Sequence, residues 1–332
     1  MGGADRRHQV MGAAASIPRF VAGRVGGLLL TVGVTSFLIF SATHLAPGRP
    51  EEFLLRGRPV SPEALAAVRA QYHLDDPLLV QYWRWITGVF TGDFGRSLQF
   101  RQDVGGLLAS RLPTTLLLVG YASLMIVLVG LLLGVVAALR PGKLDRSIML
   151  ISTVAAATPG FVAVIPLSAV FAVGLGWFPV FGNGEGLLDR LWHLTLPAVA
   201  VAVSVVGLLA RVTRSAMLAE LSREHVEVAR SRGLPFGSVV RRHALRNSLG
   251  PITTLSGLIV AGLFVATFVI EVAFGLSGLG SLLVTAVQAK DFPVVQAITM
   301  IGVLAFVVTN LLVDLLYPLI DPRVSLRAGV AR

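Results

Sequence analysis

The residues most able to do chemistry in this apolar chain are its few acids, and Glu271 stands at the end of a long uncharged run. Acids at membrane depth are often functional, because an unpaired charge is costly to bury in lipid. Glu271 is therefore a candidate for contact with a substrate, for instance with a positively charged group of that substrate. The alternative is an interfacial acid that pairs with a loop residue. Asp314, near the end of the last apolar run, is interpreted as an interfacial or helix-packing residue.

The sequence indicates no metal, nucleotide or catalytic site. A P-loop needs the pattern G-x-x-x-x-G-K-[ST], and the only Gly-Lys pair, Gly142-Lys143, is followed by Leu144. No Ser-His-Asp arrangement is identifiable, and the chain has no cysteine. We expect no metal or cofactor in this chain and no ATP binding by it alone. The six histidines lack metal-ligand spacing: His8, His44, His73, His193, His225 and His243.

The composition is that of a membrane protein. Of 332 residues, 55% are hydrophobic and 14% are charged, and the mean hydropathy is +0.78. A soluble domain of this size would need more polar residues to cover its core. The net charge of +10 could suggest nucleic-acid binding. However, the basic residues gather in short segments between apolar runs, as control of membrane topology requires.

Apolar runs of about 20 residues can cross a bilayer as helices, and six of them predict an all-α integral membrane protein. The first run is too long for an ordinary signal peptide and is interpreted as a retained anchor. Pro159 and Pro166 interrupt the third run. Because prolines in a bundle are tolerated where helices line a cavity, both are candidate residues of a substrate pathway. The predicted spans are residues 25–48, 114–139, 148–176, 194–213, 249–272 and 294–318.

The distribution of charge orients the six spans. Most of the 28 basic residues fall in segments that place both termini, residues 1–24 and 322–332, in the cytoplasm. Residues 49–111 then form a small extracytoplasmic segment. It contains two helix-like stretches, 62–72 and 78–89, so we expect a helical cap on the outer face of the bundle.

The cytoplasmic loop 217–250 between the fourth and fifth spans is the most informative segment. Apolar residues follow a helical spacing on both sides of Gly233 and Pro235, which can end one helix and begin another. The loop is therefore predicted to form two short helices joined by an elbow. Its basic surface suits an amphipathic hairpin on anionic lipid or a docking element for a soluble partner, and this pattern alone leaves both open.

The loop segment 227–233 reads Glu-Val-Ala-Arg-Ser-Arg-Gly. It resembles the EAA motif, Glu-Ala-Ala followed by three residues and Gly, of permease subunits in binding-protein-dependent ABC importers. Val228 replaces the first alanine, and residues 243–246 stand where the motif has an Ile-x-Leu-Pro tail. Both departures are similar to the peptide branch of that family.

The resemblance extends over roughly residues 20–325, in order. It is specific to the B-type permease subunits of dipeptide and oligopeptide importers, although Arg49 stands where that family usually has Asp. Further segments that resemble family patterns are residues 45–48, 73–82, 92–97, 111–115, 271–280, 291–296 and 314–323.

The resemblance implies a type I ABC importer permease fold, with the transmembrane domain over residues 112–321. It implies that the chain forms half of a peptide pathway in a bacterial inner membrane, together with a second, C-type permease. An extracytoplasmic binding protein would deliver the peptide, and two ATPase subunits would bind ATP and Mg²⁺. The residues implied in coupling to the ATPase are Glu227, Ala229, Gly233, Leu234, His243 and Arg246.

Other readings stay open at this point. Permeases of the same architecture import nickel, haem, glutathione or opines, and these resemble peptide permeases at the level of motifs. A secondary transporter or channel would predict ionisable residues in mid-span and inverted repeats. An intramembrane enzyme would need paired mid-span acids or a Ser/His pair. The sequence shows neither set of features.

Overall fold

A computed structural model describes residues 23, 25–43, 45, 63, 66, 69–70 and 75–320, with side chains as far as residue 312. Within these ranges the chain is helical, apart from loops and one isolated antiparallel bridge between Arg96 and Asp103. The helices are α1 (Val25–Thr43), α2 (Leu78–Thr91), α3 (Val104–Leu139), α4 (Lys143–Ala157), α5 (Gly160–Leu167), α6 (Gly186–Leu221), α7 (Glu224–Ser231), α8 (Phe236–Val239), α9 (Arg246–Ala273), α10 (Leu279–Ala289) and α11 (Phe292–Ile320).

Several predictions lie outside the described residues. They concern the N-terminal segment 1–24 apart from residue 23, most of the helix-like stretch 62–72 and the C-terminal segment 322–332. The side chain of Asp314 and the predicted end of the first span, residues 46–48, also lie outside that part of the chain.

Five of the described helical segments are long and apolar enough to cross a membrane. They are α1, α3, α6, the segment Phe236–Ala273 that includes α9, and α11. Helix α4 and the following apolar segment Gly160–Gly174 are bent by 106° and make a sixth span when they are counted as one. The described part of the chain thus agrees with the predicted six-span bundle.

Helix α3 begins well before the predicted start of the second span. The prediction used charged residues as the limit of the apolar run, and a helix can continue past such a limit. Asp103 is the N-cap of α3, and its carboxylate accepts a hydrogen bond from the backbone N–H of Gly106 at 2.8 Å. Arg111 lies inside the helix that follows. Residues 104–111, assigned from the sequence to the extracytoplasmic segment, are therefore the first turns of α3.

The third span is broken at Thr158 and Pro159. Pro159 has no N–H to donate, and it precedes α5 as its N-cap. The backbone carbonyl of Thr158 instead accepts a hydrogen bond from the hydroxyl of Ser204 in α6 at 3.0 Å. Pro166 lies inside α5, just before a π-helical turn, Ser168–Gly174. Both prolines thus mark irregular backbone whose polar groups must be satisfied within the protein at membrane depth.

Helix α6 lies at the centre of the bundle and packs against α3, α4, α5 and α9. Glycines allow these close approaches, as small residues do between membrane helices. A Cβ atom placed on Gly130 of α3 would lie 2.9 Å from Leu209 of α6. A Cβ on Gly207 of α6 would overlap the backbone of Ser152 in α4. The packing of α6 therefore leaves no room for a side chain at these contacts.

The contact between α6 and α4 predicts an effect of Gly207→Ala on stability. The added methyl group has to displace the backbone of Ser152, and overpacking of this kind costs about 1–3 kcal/mol. Gly120→Ala is the matched control, since a Cβ at this helical glycine of α3 meets nothing within 4 Å. The fraction of purified chain that stays monodisperse in detergent after heating measures the effect. Equal melting of the two variants would contradict this packing.

Candidate functional site

The first helix of the loop that was predicted to be cytoplasmic is α7, and it is fixed by its apolar face. Val226 and Ala229 are buried and pack with Val239 of α8 and with Leu221 at the end of α6. Val228, on the other face, is 49% exposed, and Glu227 is also exposed. Ala229 therefore holds α7 in place, while Glu227 and Val228 present an outward surface.

The elbow after α7 is a Schellman motif, in which a residue in the left-handed conformation ends the helix. Gly233 has φ of +76°, and its N–H donates to the carbonyl of Arg230 at 2.9 Å. The N–H of Leu234 donates to the carbonyl of Ala229 at 3.3 Å. The predicted elbow is therefore present, with glycine where a side chain would strain the backbone. Leu234 follows it as an exposed apolar residue.

The second predicted short helix of the loop is not a separate element, and this corrects the sequence analysis. Helix α8 continues through a π-helical turn, Val240–Leu245, into α9 without a break in the helical segment Phe236–Ala273. The charged side chains of residues 241–246 set the predicted start of the fifth span at residue 249, although a helix carries charges readily on its exposed face. The elbow thus connects directly to a membrane span.

The start of the loop also differs from the prediction. Met217, taken as the first loop residue, is fully buried inside α6, which ends at Leu221. The actual connection between α6 and α7 is only residues 222–223. Together with the continuity of α8 and α9, this leaves α7 and its elbow as a short segment between two long helices.

A cluster of polar side chains ties α7 to these two long helices. The carboxylate of Glu220, at the end of α6, lies 3.2 Å from Nε of Arg223 and 3.9 Å from Nε2 of His225. Nε2 of His225 is also 3.2 Å from the amide nitrogen of Asn247 in α9. The His225 ring centroid is 6.2 Å from that of His243. His243, one of the predicted coupling residues, thus belongs to the support of α7.

An ion pair braces the same end of the bundle. The guanidinium of Arg214 in α6 donates two hydrogen bonds, both of 2.6 Å, to the carboxylate of Asp145 in α4. Paired contacts of this geometry are strong and directional. In the sequence, Arg214 counted only among the basic residues that orient the spans. Its pairing with Asp145 was missed because the two residues are 69 positions apart along the chain. The pair fixes α4 against α6 beside the loop.

The solvent-facing surface of the loop is basic. Arg246, a predicted coupling residue, is exposed in the first turn of α9. The guanidinium of Arg230 lies 5.5 Å from the ring centroid of Phe236, a cation–π distance across the elbow. The other exposed basic residues here are Arg223, Arg232, Arg241 and Arg242. This surface suits an acidic protein groove and an anionic lipid surface equally.

At the opposite end of α9, Glu271 is fully buried, and both of its carboxylate oxygens accept hydrogen bonds. One oxygen accepts from the hydroxyl of Thr115 in α3 at 2.6 Å, and the other from the N–H of Gly280 in α10 at 2.7 Å. The Thr115 hydroxyl in turn accepts from the N–H of Leu279 at 2.9 Å. A Cβ on Gly278 would overlap the Glu271 carboxylate. This geometry favours the interpretation of Glu271 as an acid that pairs with a loop.

Asp291 plays a similar part between α10 and α11. Its carboxylate is fully buried and accepts from the Ser97 hydroxyl at 2.5 Å. It also accepts from the backbone N–H groups of Leu98 and Gln99, both at 3.1 Å. The segments 92–97 and 291–296 entered the sequence analysis only as family patterns. The structure brings them together and fastens the loop after α2 onto the bundle.

Replacement of Glu271 by Gln separates a structural role from a substrate role. The amide nitrogen of Gln would face one of two donors, Thr115 Oγ1 or Gly280 N–H, and an unsatisfied buried group costs about 1–3 kcal/mol. We expect a lower melting temperature of the purified chain. Glu185→Gln is the control, because Glu185 is exposed. Unchanged stability together with a loss of transport would show instead that Glu271 contacts the substrate.

Comparison with protein families matches nearly the whole chain. Residues 130–326 match the model described as "Binding-protein-dependent transport system inner membrane component". Residues 17–119 match the model for the N-terminal part of membrane components of such systems.

Curated relatives align along nearly their full length. The glutathione transport system permease protein GsiC of Salmonella paratyphi A is 37% identical over 306 residues, which cover 92% of this chain and 98% of the relative. A protein named as a peptide transport system permease of Brucella abortus is 40% identical over 301 residues, covering 90% and 95%.

Solved structures support the fold. The inward-facing methionine ABC transporter MetNI aligns with a TM-score of 0.55 and 19% identity, over 65% of this chain and 96% of the MetNI chain. An amino acid ABC transporter aligns with a TM-score of 0.51 over 64% and 93% of the two chains, also at 19% identity. The described bundle therefore has the fold of ABC importer permeases.

Proposed function

The chain belongs to the family of binding-protein-dependent transport system inner membrane components, and we propose that it is a permease subunit of an ATP-driven importer of di- and oligopeptides. In this proposal it forms half of the translocation pathway with a second, C-type permease. An extracytoplasmic binding protein delivers the peptide, and two ATPase subunits bind ATP and Mg²⁺. Helix α7 with its elbow, held between two long helices, is the observation that carries the proposal.

The coupling role follows from how rigidly α7 is held. Its buried face, Val226 and Ala229, is packed on α8 and the end of α6. The Glu220 cluster links it to both long helices. A displacement of α7 is therefore passed to α6 and α9 instead of being absorbed by a flexible loop. A flat patch adsorbed on lipid would not need this bracing, so the geometry favours a docking element for a moving partner.

The predicted coupling residues take different parts in this proposal. Glu227 and Leu234 are exposed and contact the ATPase groove, together with Val228. Ala229 and Gly233 set the position and the turn of α7, and His243 belongs to its support. Arg246 contributes to the basic surface that faces acidic groups of the ATPase. We also propose that both termini lie in the cytoplasm of a bacterium, on the same side of the membrane as the loop. The basic residues in these segments support this orientation.

The substrate pathway is proposed to pass the break in the third span. Pro159 and Pro166 leave irregular backbone there, and such backbone at membrane depth is found where it is buried in protein or lines a cavity. The hydrogen bond from Ser204 satisfies the Thr158 carbonyl. Glu271, at the far end of α9, stays a candidate for substrate contact because it is an acid within an apolar span. Its hydrogen bonds support a second role, in which it holds α3, α9 and α10 together in the wall of the pathway.

The cargo is proposed from the relatives. A peptide and glutathione are the cargoes in the names of relatives with 40% and 37% identity. Both are amides of amino acids with free carboxylate and ammonium groups. We therefore propose a peptide cargo, and glutathione is the second candidate because a relative that aligns over 92% of this chain is named for it.

The cargo is tested in proteoliposomes that hold the complete complex of this chain, its second permease, its ATPase subunits and its binding protein. Uptake of labelled di- and tripeptides is compared with uptake of labelled glutathione, with and without ATP. We expect ATP-dependent uptake of the labelled peptides. Unlabelled peptides should compete with this uptake, and glutathione should not. Uptake of glutathione alone would replace the peptide assignment, and transport without ATP would contradict the importer assignment.

The elbow gives a matched pair of variants for coupling. Gly233→Ala places a side chain at φ of +76°, which costs roughly 1–2 kcal/mol and opens the Schellman turn. We expect several-fold slower ATP-driven uptake with normal membrane insertion. Gly237→Ala lies in α8 in ordinary helical conformation, with nothing within 4 Å of the added methyl group, and should transport normally. Equal uptake by both variants would remove the elbow from the coupling mechanism.

A further inference from the structure

Helix α2 packs along α1, and it does not form the cap over the bundle that its place in the sequence suggested. The hydroxyl of Tyr82 lies 2.9 Å from the hydroxyl of Ser36. The Tyr82 ring contacts the rings of Phe37 and Phe40 edge-on, with centroid distances of 5.3 and 5.7 Å. Trp85, one helical turn further on, lies 5.6 Å from Phe40. From residue 82 to residue 85, α2 therefore follows α1 in the same direction.

These contacts lie well before the end of α1, which is itself long and apolar enough to cross a membrane. Thr43, at the end of the described part of α1, accepts a hydrogen bond of 2.5 Å from Gln296, near the start of α11. Ser36 precedes Thr43 by about two helical turns, which is roughly 10 Å along the axis at 1.5 Å per residue. The Tyr82 side chain therefore reaches well below the outer end of two membrane spans. A helix in this position runs alongside a membrane span.

Three large apolar side chains on one flank of α2, next to its contact with α1, are exposed. Leu79 and Trp83 are each 67% exposed, and Phe90 is 77% exposed. At about 100° per residue these three side chains fall within roughly 40° of each other around the helix. Arg84, the single charged residue of α2, is paired with Asp76 at 2.9 Å. An exposed surface of this kind would be unfavourable in water.

The surface of α1 next to α2 is also apolar and exposed. Leu30, Val34 and Leu38 of α1 are more than half exposed, as expected for a span that faces lipid. Tryptophan and other aromatic residues are enriched where a membrane protein meets the interface. We propose that α2 is embedded in the outer leaflet beside α1 and that Leu79, Trp83 and Phe90 contact lipid acyl chains. The assignment to the outer leaflet rests on the proposed topology. The proposed contact with lipid does not depend on that topology.

The absence of cysteine from the chain makes the test direct, since every introduced cysteine is unique. Leu79→Cys, Trp83→Cys and Phe90→Cys are labelled with a nitroxide in the complete chain, reconstituted in vesicles of phosphatidylcholine and phosphatidylglycerol. Electron paramagnetic resonance measures collisions with oxygen, which concentrates in the bilayer, and with a water-soluble nickel chelate. Gln102→Cys is the control, because this exposed residue lies in the loop after α2.

We expect the three labels on α2 to collide several-fold less with the nickel chelate than the label at residue 102, and several-fold more with oxygen. Three independent positions keep the test valid if Trp83→Cys fails to fold. Collision with the chelate at the rate of the control would overturn the proposal. Water access that is lost only when the extracytoplasmic binding protein is added would also overturn it, and would assign this face to protein docking.

Discussion

The close approach of α6 to its neighbours is the constraint on which the rest of the structure depends. Gly207 meets the backbone of Ser152 in α4, and Gly130 meets Leu209 across the contact with α3. At the break of the third span, Ser204 of α6 supplies the donor that Thr158 needs. A membrane offers no water to satisfy a free carbonyl, so α6 has to lie at this distance for the broken span to exist. Helix α6 therefore provides both the close backbone packing and the hydrogen-bond donor for the free carbonyl.

The two ends of the bundle use this rigid centre in different ways. At the end of the bundle opposite α7, the buried carboxylates of Glu271 and Asp291 hold loops and helix starts together, because each accepts hydrogen bonds from a segment distant in sequence. At the end that carries α7, the Arg214–Asp145 pair and the Glu220 cluster brace α6 where it meets α7. Helix α6 therefore connects the candidate pathway to the candidate docking element without a flexible joint.

The sequence predicted the features that local rules decide. Apolar runs located the membrane helices, and the elbow at Gly233 was found because a left-handed helix end favours glycine. The bounds of α3 and the continuity of α8 with α9 were missed, because charged residues such as Arg111 and Arg246 marked the predicted limits of the membrane spans. The bond between Thr115 and Glu271 joins residues 156 apart, and no local pattern predicts such a pairing. The position of α2 beside α1 likewise depends on long-range packing of Tyr82.

The central claim is that α7 docks on an ATPase, and a photo-crosslinker at Val228 tests it most directly. Val228 is half exposed on the outward face of α7, so a benzophenone amino acid fits there without repacking the helix. In the assembled complex the account predicts a crosslink to the ATPase subunit whose yield changes when ATP is bound. Crosslinks to lipid alone, unchanged by ATP, would contradict it and would make the loop a membrane-surface hairpin.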